Sequence, residues 1–182
     1  MNMKFYLLGL FAGDGWFQTR GIAIGTNSIN FASKIEKTCL NVFGKCKVKK
    51  RIYPDGHKMY ILYVWRKDVC DEFKILLKTE KNKSKTFRVP KMELQFQRQF
   101  VAGIFDAEAT SYLWKNKPRV GMELHNEMAA KEICEILRAD GIKCYFSKCS
   151  RGEFKLDFTG KENVNKFFQN YHTFRLAPSS TG

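Results

Sequence analysis

The sequence predicts an α+β protein made of two tandem αββαββα repeats. Each repeat would contribute four strands in two hairpins, together with three helices. Two observations carry the prediction. A short motif occurs twice, as LLGLFAGDG in residues 7–15 and as VAGIFDAEA in residues 101–109. Downstream apolar positions recur at the same offset, pairing Tyr60 with Phe154, Leu62 with Leu156 and Val64 with Phe158.

The first half is divided by glycine and turn signals. Gly13 and Gly15 end an apolar helix, the Arg20-Gly21 step marks a hairpin turn, and Pro54-Asp55-Gly56 marks a second one. Apolar residues at helical spacing fill the stretch before Gly44. The predicted elements are helix 3–13, a hairpin over 15–26, helix 28–43, strands 45–52 and 58–66, and helix 67–77.

The second half follows the same order. Pro90 is a suitable residue for the start of a helix, and Asn116-Lys117-Pro118 marks a hairpin turn. The predicted elements are a helix from Pro90 to about Phe105, strands 109–114 and 119–124, helix 128–139, strands 143–149 and 153–159, and helix 161–171. The domains are thus residues 1–77 and 92–176, joined by a basic linker (78–91) and followed by a disordered tail (177–182).

Composition and charge restrict the class of protein. Hydrophobic residues make up 44% of the 182 residues, which excludes wholesale disorder. No apolar run reaches the roughly 18 residues that cross a bilayer, so no membrane is expected as a partner. The net charge of +14 favours a polyanion, most simply nucleic acid, although a ribosomal or membrane surface would also fit the charge alone.

The charge is unevenly divided. Residues 1–91 contain 19 basic and 7 acidic side chains, whereas residues 92–182 contain 13 and 11. The first half is therefore expected to hold a phosphate backbone more strongly.

The cysteines favour an intracellular protein. Six cysteines occur without a C-x-x-C pair and with only three histidines, which argues against zinc. We interpret the cysteines as mostly buried, reduced thiols. The apolar N-terminus is similar to a short secretory signal, but its recurrence in mid-chain argues against a cleaved leader and against secretion.

The repeated helices predict a metal site. Gly9 and Gly13 share one helical face, as do Gly103 and Ala107, and small residues there allow two helices to approach closely. Each helix ends on a carboxylate, Asp14 in the first motif and Glu108 in the second. Because the carboxylates repel each other and the helix C-terminus is itself negative, the arrangement calls for a cation such as Mg²⁺. Beside a basic surface, this predicts metal-assisted phosphodiester hydrolysis.

The two motifs resemble those of the LAGLIDADG homing endonucleases, in the single-chain form with two motifs. The resemblance implies an intron-encoded, monomeric and pseudo-dimeric enzyme that cuts both strands of a long, asymmetric DNA duplex. It also implies that two antiparallel four-stranded sheets form a DNA-binding saddle and that the motif helices pack at a pseudo-twofold interface. It implies Mg²⁺ as the cofactor, with Mn²⁺ or Ca²⁺ able to take its place. Intron RNA is an alternative partner, since members of this family also act as maturases.

The resemblance also assigns roles to residues. Asp14 and Glu108 occupy the metal-binding position of the motif, with Gly13 and Ala107 beside them in the metal site. Asp106 matches the other acid of the motif, for which we expect a structural role. A polar amide is expected near the end of the second strand of each half. A basic residue is expected just after the fourth strand, and both groups belong to the catalytic water network. The amides are Asn126 in the second half and Asn27, with Thr26 or Ser28 as alternatives, in the first; the basic residues are Lys67, with Arg66 as an alternative, and Lys161.

Strand alternation predicts the DNA-binding residues. Lys45, Lys47, Lys49 and Arg51 fall on one face of a strand, where their repulsion would be relieved by phosphates. A solvated edge strand with protective lysines is the alternative. Gln18 and Arg20 are suited to base edges. The candidates in the second half are Lys115, Lys117, Arg119, Lys148, Arg151 and Lys155.

The sequence therefore favours a site-specific DNA endonuclease. The alternatives are an intron RNA maturase and a DNA-binding regulator that has lost cleavage. The presence of both acids argues against the regulator, and the short chain without an appended basic domain argues against the maturase.

Overall fold

The computed structural model describes residues 3–79 and 82–178, and its elements follow the predicted order with one addition. The first half contains α1 (Lys4–Asp14), β1 (Gly15–Gln18), β2 (Gly21–Thr26), α2 (Ile29–Phe43), β3 (Lys47–Ile52), β4 (Lys58–Val64) and α3 (Lys67–Leu77). The additional helix, α4 (Lys83–Thr86), follows. The second half contains α5 (Leu94–Glu108), β5 (Thr110–Trp114), β6 (Lys117–Leu124), α6 (Glu127–Ala139), β7 (Tyr145–Lys148), β8 (Phe154–Thr159) and α7 (Lys161–Asn170). Residues 179–182 of the predicted disordered tail lie outside the described residues.

The strands form two four-stranded antiparallel sheets of the same topology. Their orders are β1-β2-β4-β3 and β5-β6-β8-β7. The predicted fold class, with its paired sheets and repeated order of elements, is confirmed. Along the described parts of the chain, none of the helices combines the length and apolar character needed to cross a bilayer.

The motif helices α1 and α5 form the centre of the molecule. A Cβ on Gly9 would overlap the carbonyl oxygen of Phe100, and a Cβ on Gly103 would overlap that of Tyr6. The two backbones therefore touch, as the small-residue pattern predicts. α1 also packs on the first sheet and α5 on the second, so the helix pair joins the two halves into one hydrophobic core.

Both motif helices pass the ends given by the turn signals and end on the motif carboxylates, as the motifs predict. α1 continues through Gly13 to Asp14, and α5 continues past Phe105 to Glu108. Gly13 lies inside α1 and serves packing rather than helix termination. A Cβ at this position would overlap the Cβ of Ala107 on α5. As a consequence, both motif carboxylates belong to the last turns of helices.

The second-half hairpin turns one residue earlier than predicted. Lys115 and Asn116 have φ values of 49° and 61°, and β6 begins at Lys117. A two-residue hairpin turn needs left-handed backbone at both central positions, which asparagine tolerates and proline cannot adopt. Pro118 therefore lies inside β6 rather than in the turn.

The described residues of the segment 78–91, predicted as a basic linker, also contribute to the fold. It contains α4, and Phe87 and Val89 are buried in the core. The backbone N–H of Val89 donates to the Glu132 carboxylate of α6 at 3.0 Å. These contacts hold the segment against the second half and fix the position of α4.

A buried aspartate joins the end of the described chain to the motif helices. Asp106 is fully buried and accepts a 2.7 Å hydrogen bond from the Tyr6 hydroxyl of α1. It also accepts backbone hydrogen bonds from Phe174, Arg175 and Leu176. The segment that follows α7 is thereby held across the end of α5.

Candidate metal and nucleic-acid site

The structure places the two motif carboxylates side by side. A Cβ on Gly13 would lie 3.2 Å from Cγ and 3.3 Å from Oε1 of Glu108, so the Glu108 side chain lies against the end of α1. Asp14 is the next residue of that helix end. The geometry brings together the two acids that the sequence singled out, together with Gly13 and Ala107.

Both carboxyl groups are held in a setting that disfavours their charge. Packing of protein around them raises the pKa of Asp14 to about 7, and the nearby charge of Glu108 adds to this effect. Reduced hydration likewise raises the pKa of Glu108, while the charges of Lys83, Arg175 and His125 act in the opposite direction. Both side chains still reach solvent, so the site is open to a ligand.

Lys83 is the cation at the end of α1. Its Nζ donates to the carbonyl oxygens of Phe11, Ala12 and Gly13 at 2.6, 2.5 and 3.0 Å. Burial lowers the pKa of Lys83 to about 8, and the charges of Glu108 and Asp14 partly offset this. A positive group at this point opposes the partial negative charge of the helix C-terminus.

Arg175 takes the same place at the end of α5. Its guanidinium donates to the carbonyl oxygens of Ala109 at 2.7 Å and Ala107 at 3.3 Å, and also to that of Asp106. Each motif helix therefore ends on a cation supplied by the segment that follows its own half. Sequence reasoning missed both residues because one lies in the presumed linker and the other beyond the last predicted helix. Their similar distance behind the last helix of each half was the available signal.

Lys67 and Lys161, the basic residues predicted for the catalytic water network, lie away from the two carboxylates. Strand register explains the difference, since β4 ends at Val64, which pairs with Ile22, whereas Gly15 beside the acids pairs with Ile24. Residues after β4 therefore lie at the far end of the sheet from Asp14. Lys67 opens α3, is exposed and pairs with Asp71 at 2.5 Å, and Lys161 opens α7 in the corresponding place.

Asn126 is also used differently from the prediction. It is buried, its Oδ1 accepts from the backbone N–H of Ala129 at 3.1 Å, and its Nδ2 donates to the carbonyl oxygen of Phe87 at 2.5 Å. Its amide thus caps α6 and anchors the segment before α5. The preceding residue, His125, lines an open cavity of about 570 Å³ together with Glu108.

In the first half, Asn27 lies where a strand-end amide was expected. It is exposed and lines a second cavity, of about 320 Å³, together with Asp14 and Arg175. Of its two alternatives, Thr26 is buried, and Ser28 caps α2 by accepting from the backbone N–H of Phe31.

The basic strand of the first half faces away from the helices. Val48 packs against the core, so its neighbours Lys47 and Lys49, together with Arg51, lie on the outer face of the sheet and are exposed. Lys45 does not belong to this row because β3 begins at Lys47. Gln18 lies on the outer face of β1, and Arg20 is exposed in the adjacent turn.

The basic residues of the second sheet are partly neutralised. Arg119 pairs with Asp157 at 2.6 Å, and Lys155 lies 4.0 Å from Glu123. Both pairs lie on the outer face, and Lys117 begins β6 on the same face. Lys115 and Arg151 are exposed in turns.

Lys148 is on the wrong face for the predicted DNA contact. It pairs across the strands with Phe154, a core residue. The hydrogen bond from Lys131 chiefly lowers the pKa of Glu127 at the start of α6, and the nearby charge of Lys148 adds to this. Phe146, two residues earlier, packs against the core, which fixes the alternation along β7. Lys148 therefore lies on the helix side of the sheet.

Paired helices ending in two carboxylates, flanked by two four-stranded antiparallel sheets, define the two-motif LAGLIDADG fold. Residues 2–87 match the family described as LAGLIDADG-like domain. The first half of the chain thus matches a LAGLIDADG-like domain, and the second half repeats the topology of the first. The resemblance of the sequence to the LAGLIDADG homing endonucleases is thereby confirmed at the level of family and fold.

Solved structures share this fold at low sequence identity. The homing endonuclease I-DmoI in complex with DNA and Mn aligns with a TM-score of 0.69 and 15% identity, over 95% of this chain and 98% of that one. The homing endonuclease I-WcaI bound to its DNA recognition sequence gives 0.60 and 14%, over 93% and 80%.

The N-terminal LAGLIDADG domain of DUF199/WhiA gives a TM-score of 0.67 at 14% identity, over 96% of this chain and 84% of that domain. Full-length DUF199/WhiA from Thermatoga maritima gives 0.69 at 13%, and there this chain spans 56% of the other protein's length. No curated protein matches the sequence significantly.

Proposed function

We propose that the protein is a monomeric, intracellular, site-specific DNA endonuclease that makes a metal-dependent double-strand break in a long, asymmetric duplex. One observation carries this proposal: Asp14 and Glu108 meet at the ends of two touching helices, with Lys83 and Arg175 beside them. An acid pair with raised pKa values costs stability unless it binds a cation. Such a feature is expected of a functional site.

The residues present fit a hydrated divalent cation. The two carboxylates come from different helices, and the carbonyl oxygens of Gly13 and Ala107 lie next to them, each with a lone pair left beyond its bond to Lys83 or Arg175. Among the described residues, no group of three or more His, Cys, Asp or Glu side chains forms a closed metal site. Mg²⁺ suits an open site of this kind, because it keeps water and takes phosphate oxygens as ligands, and Mn²⁺ or Ca²⁺ could occupy the same positions. When bound, the ion would activate water and stabilise the leaving oxygen.

The chain's own residues supply the remaining charge. Lys83 and Arg175 place two cations beside the point where a scissile phosphate would lie, and they would stabilise the negative charge that develops there. Asn27 and His125 line the cavities on either side and are suited to hold water. Lys47, Lys49 and Arg51 would bind phosphates, and the outer face of the second sheet, with its mixed donors and acceptors, would contact base edges.

A DNA-binding protein without cleavage is the second candidate. The DUF199/WhiA structures match the chain as well as the I-DmoI structure does, so the fold alone does not separate the two functions. The paired acids favour the endonuclease.

Substitution of the acids tests the proposal. After a cleaved duplex has been selected from a randomised library with Mg²⁺, Asp14→Asn or Glu108→Gln should reduce cutting at least 100-fold while changing duplex affinity less than about tenfold. Asp55→Asn, in the exposed β3–β4 turn, is the matched control and should cut normally. Undiminished cutting by both site variants would contradict the proposal. Tight duplex binding without cutting by the wild type would favour the second candidate, and a preference for intron RNA would favour the maturase.

The same assay separates Lys83 from the lysines that the sequence favoured. Lys83→Met should slow cutting about 100-fold or more, because it removes charge beside the phosphate. Lys67→Met and Lys161→Met should cut as the wild type does. The reverse order would restore the sequence-based assignment.

A further inference from the structure

The outer faces of the two sheets carry different side chains on the same strand framework. Leu62 at the centre of β4 and Leu156 at the centre of β8 each pair with one residue on both neighbouring strands, and both face the core. The alternate positions of the central strands therefore form the outer faces, which the proposed function turns towards DNA. A difference between equivalent outer positions is thus a difference in what the two halves offer to a duplex.

The centre of the first outer face is apolar. The Trp16 ring reaches across β2, because a Cβ on Gly25 would lie 3.3 Å from its Cζ3 and 3.4 Å from the sulfur of Met59. Ala23 and Ile61 are buried although they face away from the main core. The outer residues of β2 and β4 are Gly21, Ala23, Gly25, Met59, Ile61 and Tyr63. Along these two strands, both fully described, only the hydroxyl of the tyrosine offers a strong hydrogen-bonding group to the outer face.

The centre of the second outer face is polar at nearly every equivalent position. The Arg119 guanidinium donates to Asp157 at 2.6 Å and lies 5.2 Å from the centroid of the Trp114 ring, so its orientation is fixed. Glu123 and Lys155 line the open cavity of about 570 Å³ above this face. The outer residues of β6 and β8 are Lys117, Arg119, Gly121, Glu123, Lys155, Asp157 and Thr159. Hydrogen-bond donors and acceptors therefore face an open hollow in the second half.

The edge strands show the opposite distribution. Three exposed cations lie along the edge of the first sheet, whereas the equivalent positions in the second half are uncharged. The two sets are Lys47, Lys49 and Arg51 in the first half and Tyr145, Ser147 and Cys149 in the second. Lys49 Nζ lies 5.7 Å from the centroid of the Tyr63 ring, so the row of cations borders the apolar centre directly. Charge suited to phosphates and groups suited to base edges are thus concentrated in different halves.

We propose that the two halves divide the recognition of a duplex. The second sheet reads base identity through hydrogen bonds, and the first sheet holds phosphates while its central strands detect thymine methyl groups. This division rests on the proposed function for its duplex partner but does not require cleavage. Donors and acceptors in the major groove distinguish all four base pairs, whereas an apolar surface recognises only the thymine methyl there. Phosphate contacts add affinity without sequence information.

Selection by binding tests the division. Wild-type protein in Ca²⁺ is mixed with a randomised duplex library, and the bound duplexes are sequenced over repeated rounds. We expect one block of strongly constrained positions and an adjoining block with less than about half of its sequence information, in which thymine is the main preference. Equal constraint in both blocks, or binding without any enrichment, would overturn the division. Selective binding of this unequal kind without cutting in Mg²⁺ would contradict the endonuclease and support the division.

Matched variants assign each block to a sheet. Arg119→Gln and Lys155→Gln remove cations from the second sheet, and each should change the relative affinity for bases at constrained positions about tenfold. Lys49→Gln removes a cation from the first sheet and should lower the affinity for every duplex about equally, with the base preferences retained. The division is wrong if Lys49→Gln shifts the constrained bases, or if both second-sheet variants retain them.

Uracil substitution tests the methyl contacts. Uracil lacks the methyl group of thymine but keeps its hydrogen-bonding edge, so only an apolar contact is lost. Replacing a preferred thymine in the weakly constrained block should lower affinity about threefold. Thymines of the strongly constrained block should tolerate the change better. A greater loss in the strongly constrained block would show that the first sheet does not detect methyl groups.

Discussion

Asp14 of the acid pair serves the proposed metal site but lowers the stability of the folded protein when no metal is bound. Asp14 loses hydration and faces Glu108, so the folded protein releases its proton only near pH 7, whereas the unfolded chain releases it near pH 4. Between these values the folded state binds more protons than the unfolded state. Stability should therefore fall as pH rises through this window.

Replacing Asp14 should remove this penalty. In EDTA at pH 8, the free energy of unfolding of Asp14→Asn should exceed that of the wild type by about 1 kcal/mol. This difference is smaller than the pKa shift alone would give, because the carboxylate is exposed to solvent. The difference should disappear below about pH 3, where Asp14 is protonated in both states. Urea unfolding at the two pH values measures it, with Asp55→Asn as the control. A destabilised variant at pH 8 would show that the carboxylate is favourably placed without metal.

Residue roles were predictable only where the motif itself carried them. Asp14 and Glu108 follow from a repeated pattern, and their meeting follows from the small residues before them. Lys83 was hidden because a lysine among many in a charged segment carries no periodic signal. Lys67 was expected beside the acids but lies at the other end of the sheet, because sequence order does not reveal which end of a strand lies near the helix ends.

Among the elements, the basic edge strand β3 shows what alternation can determine. Its placement of Lys47, Lys49 and Arg51 on one exposed face was correctly predicted, because Val48 must face the core. Lys148 was predicted on the outer face of its sheet, but it lies on the helix side. Phe146, two residues earlier on β7, faces the core, and alternation places Lys148 on the same side. The face of a strand on which a row of cations lies can be predicted only after the apolar residues between the cations have been assigned to the core.

Neutralising this row of side chains should weaken binding to DNA duplexes of any base sequence. Changing Lys47, Lys49 and Arg51 to Gln should lower affinity for any duplex, and the slope of log K against log salt should flatten by about one unit for each phosphate that the variant no longer binds. Lys50→Gln, on the helix side of the same strand, is the matched control. Titrations at several salt concentrations measure the slope, and an unchanged slope in the triple variant would mean that β3 faces solvent only.

At the scale of the whole molecule, Asp106 ties three distant parts together. It connects α1, α5 and the segment after α7. Its donors are the Tyr6 hydroxyl and three backbone N–H groups, and a buried donor that loses its acceptor is costly.

Asp106→Ala should therefore destabilise the protein by about 3 kcal/mol or more, through unpaired buried donors and a released C-terminal segment. Asp71→Asn, which removes only the exposed partner of Lys67, should cost less than about 1 kcal/mol. Chemical denaturation compares the two variants. Equal costs would show that the segment after α7 contributes little to the fold.

The overall architecture was accessible from the sequence because it occurs twice. A motif, its spacing and recurring turn signals fixed the order of elements and the sheets. The contributions of residues 78–91 and 173–176 were not accessible, because their anchors, such as Phe87 and Leu176, are isolated apolar residues in otherwise polar segments. The role of such residues is visible only in the folded structure, where the core surfaces that they pack against have formed.

The direct backbone contact at Gly9 and Gly103 has a mechanical consequence. At this contact no side chain separates the two backbones, so little relative movement of the halves is expected when a substrate binds. On the proposed function, the work of fitting falls to the duplex, whose bending cost depends on its own base steps. Target choice would then depend partly on nucleotides that no side chain reaches.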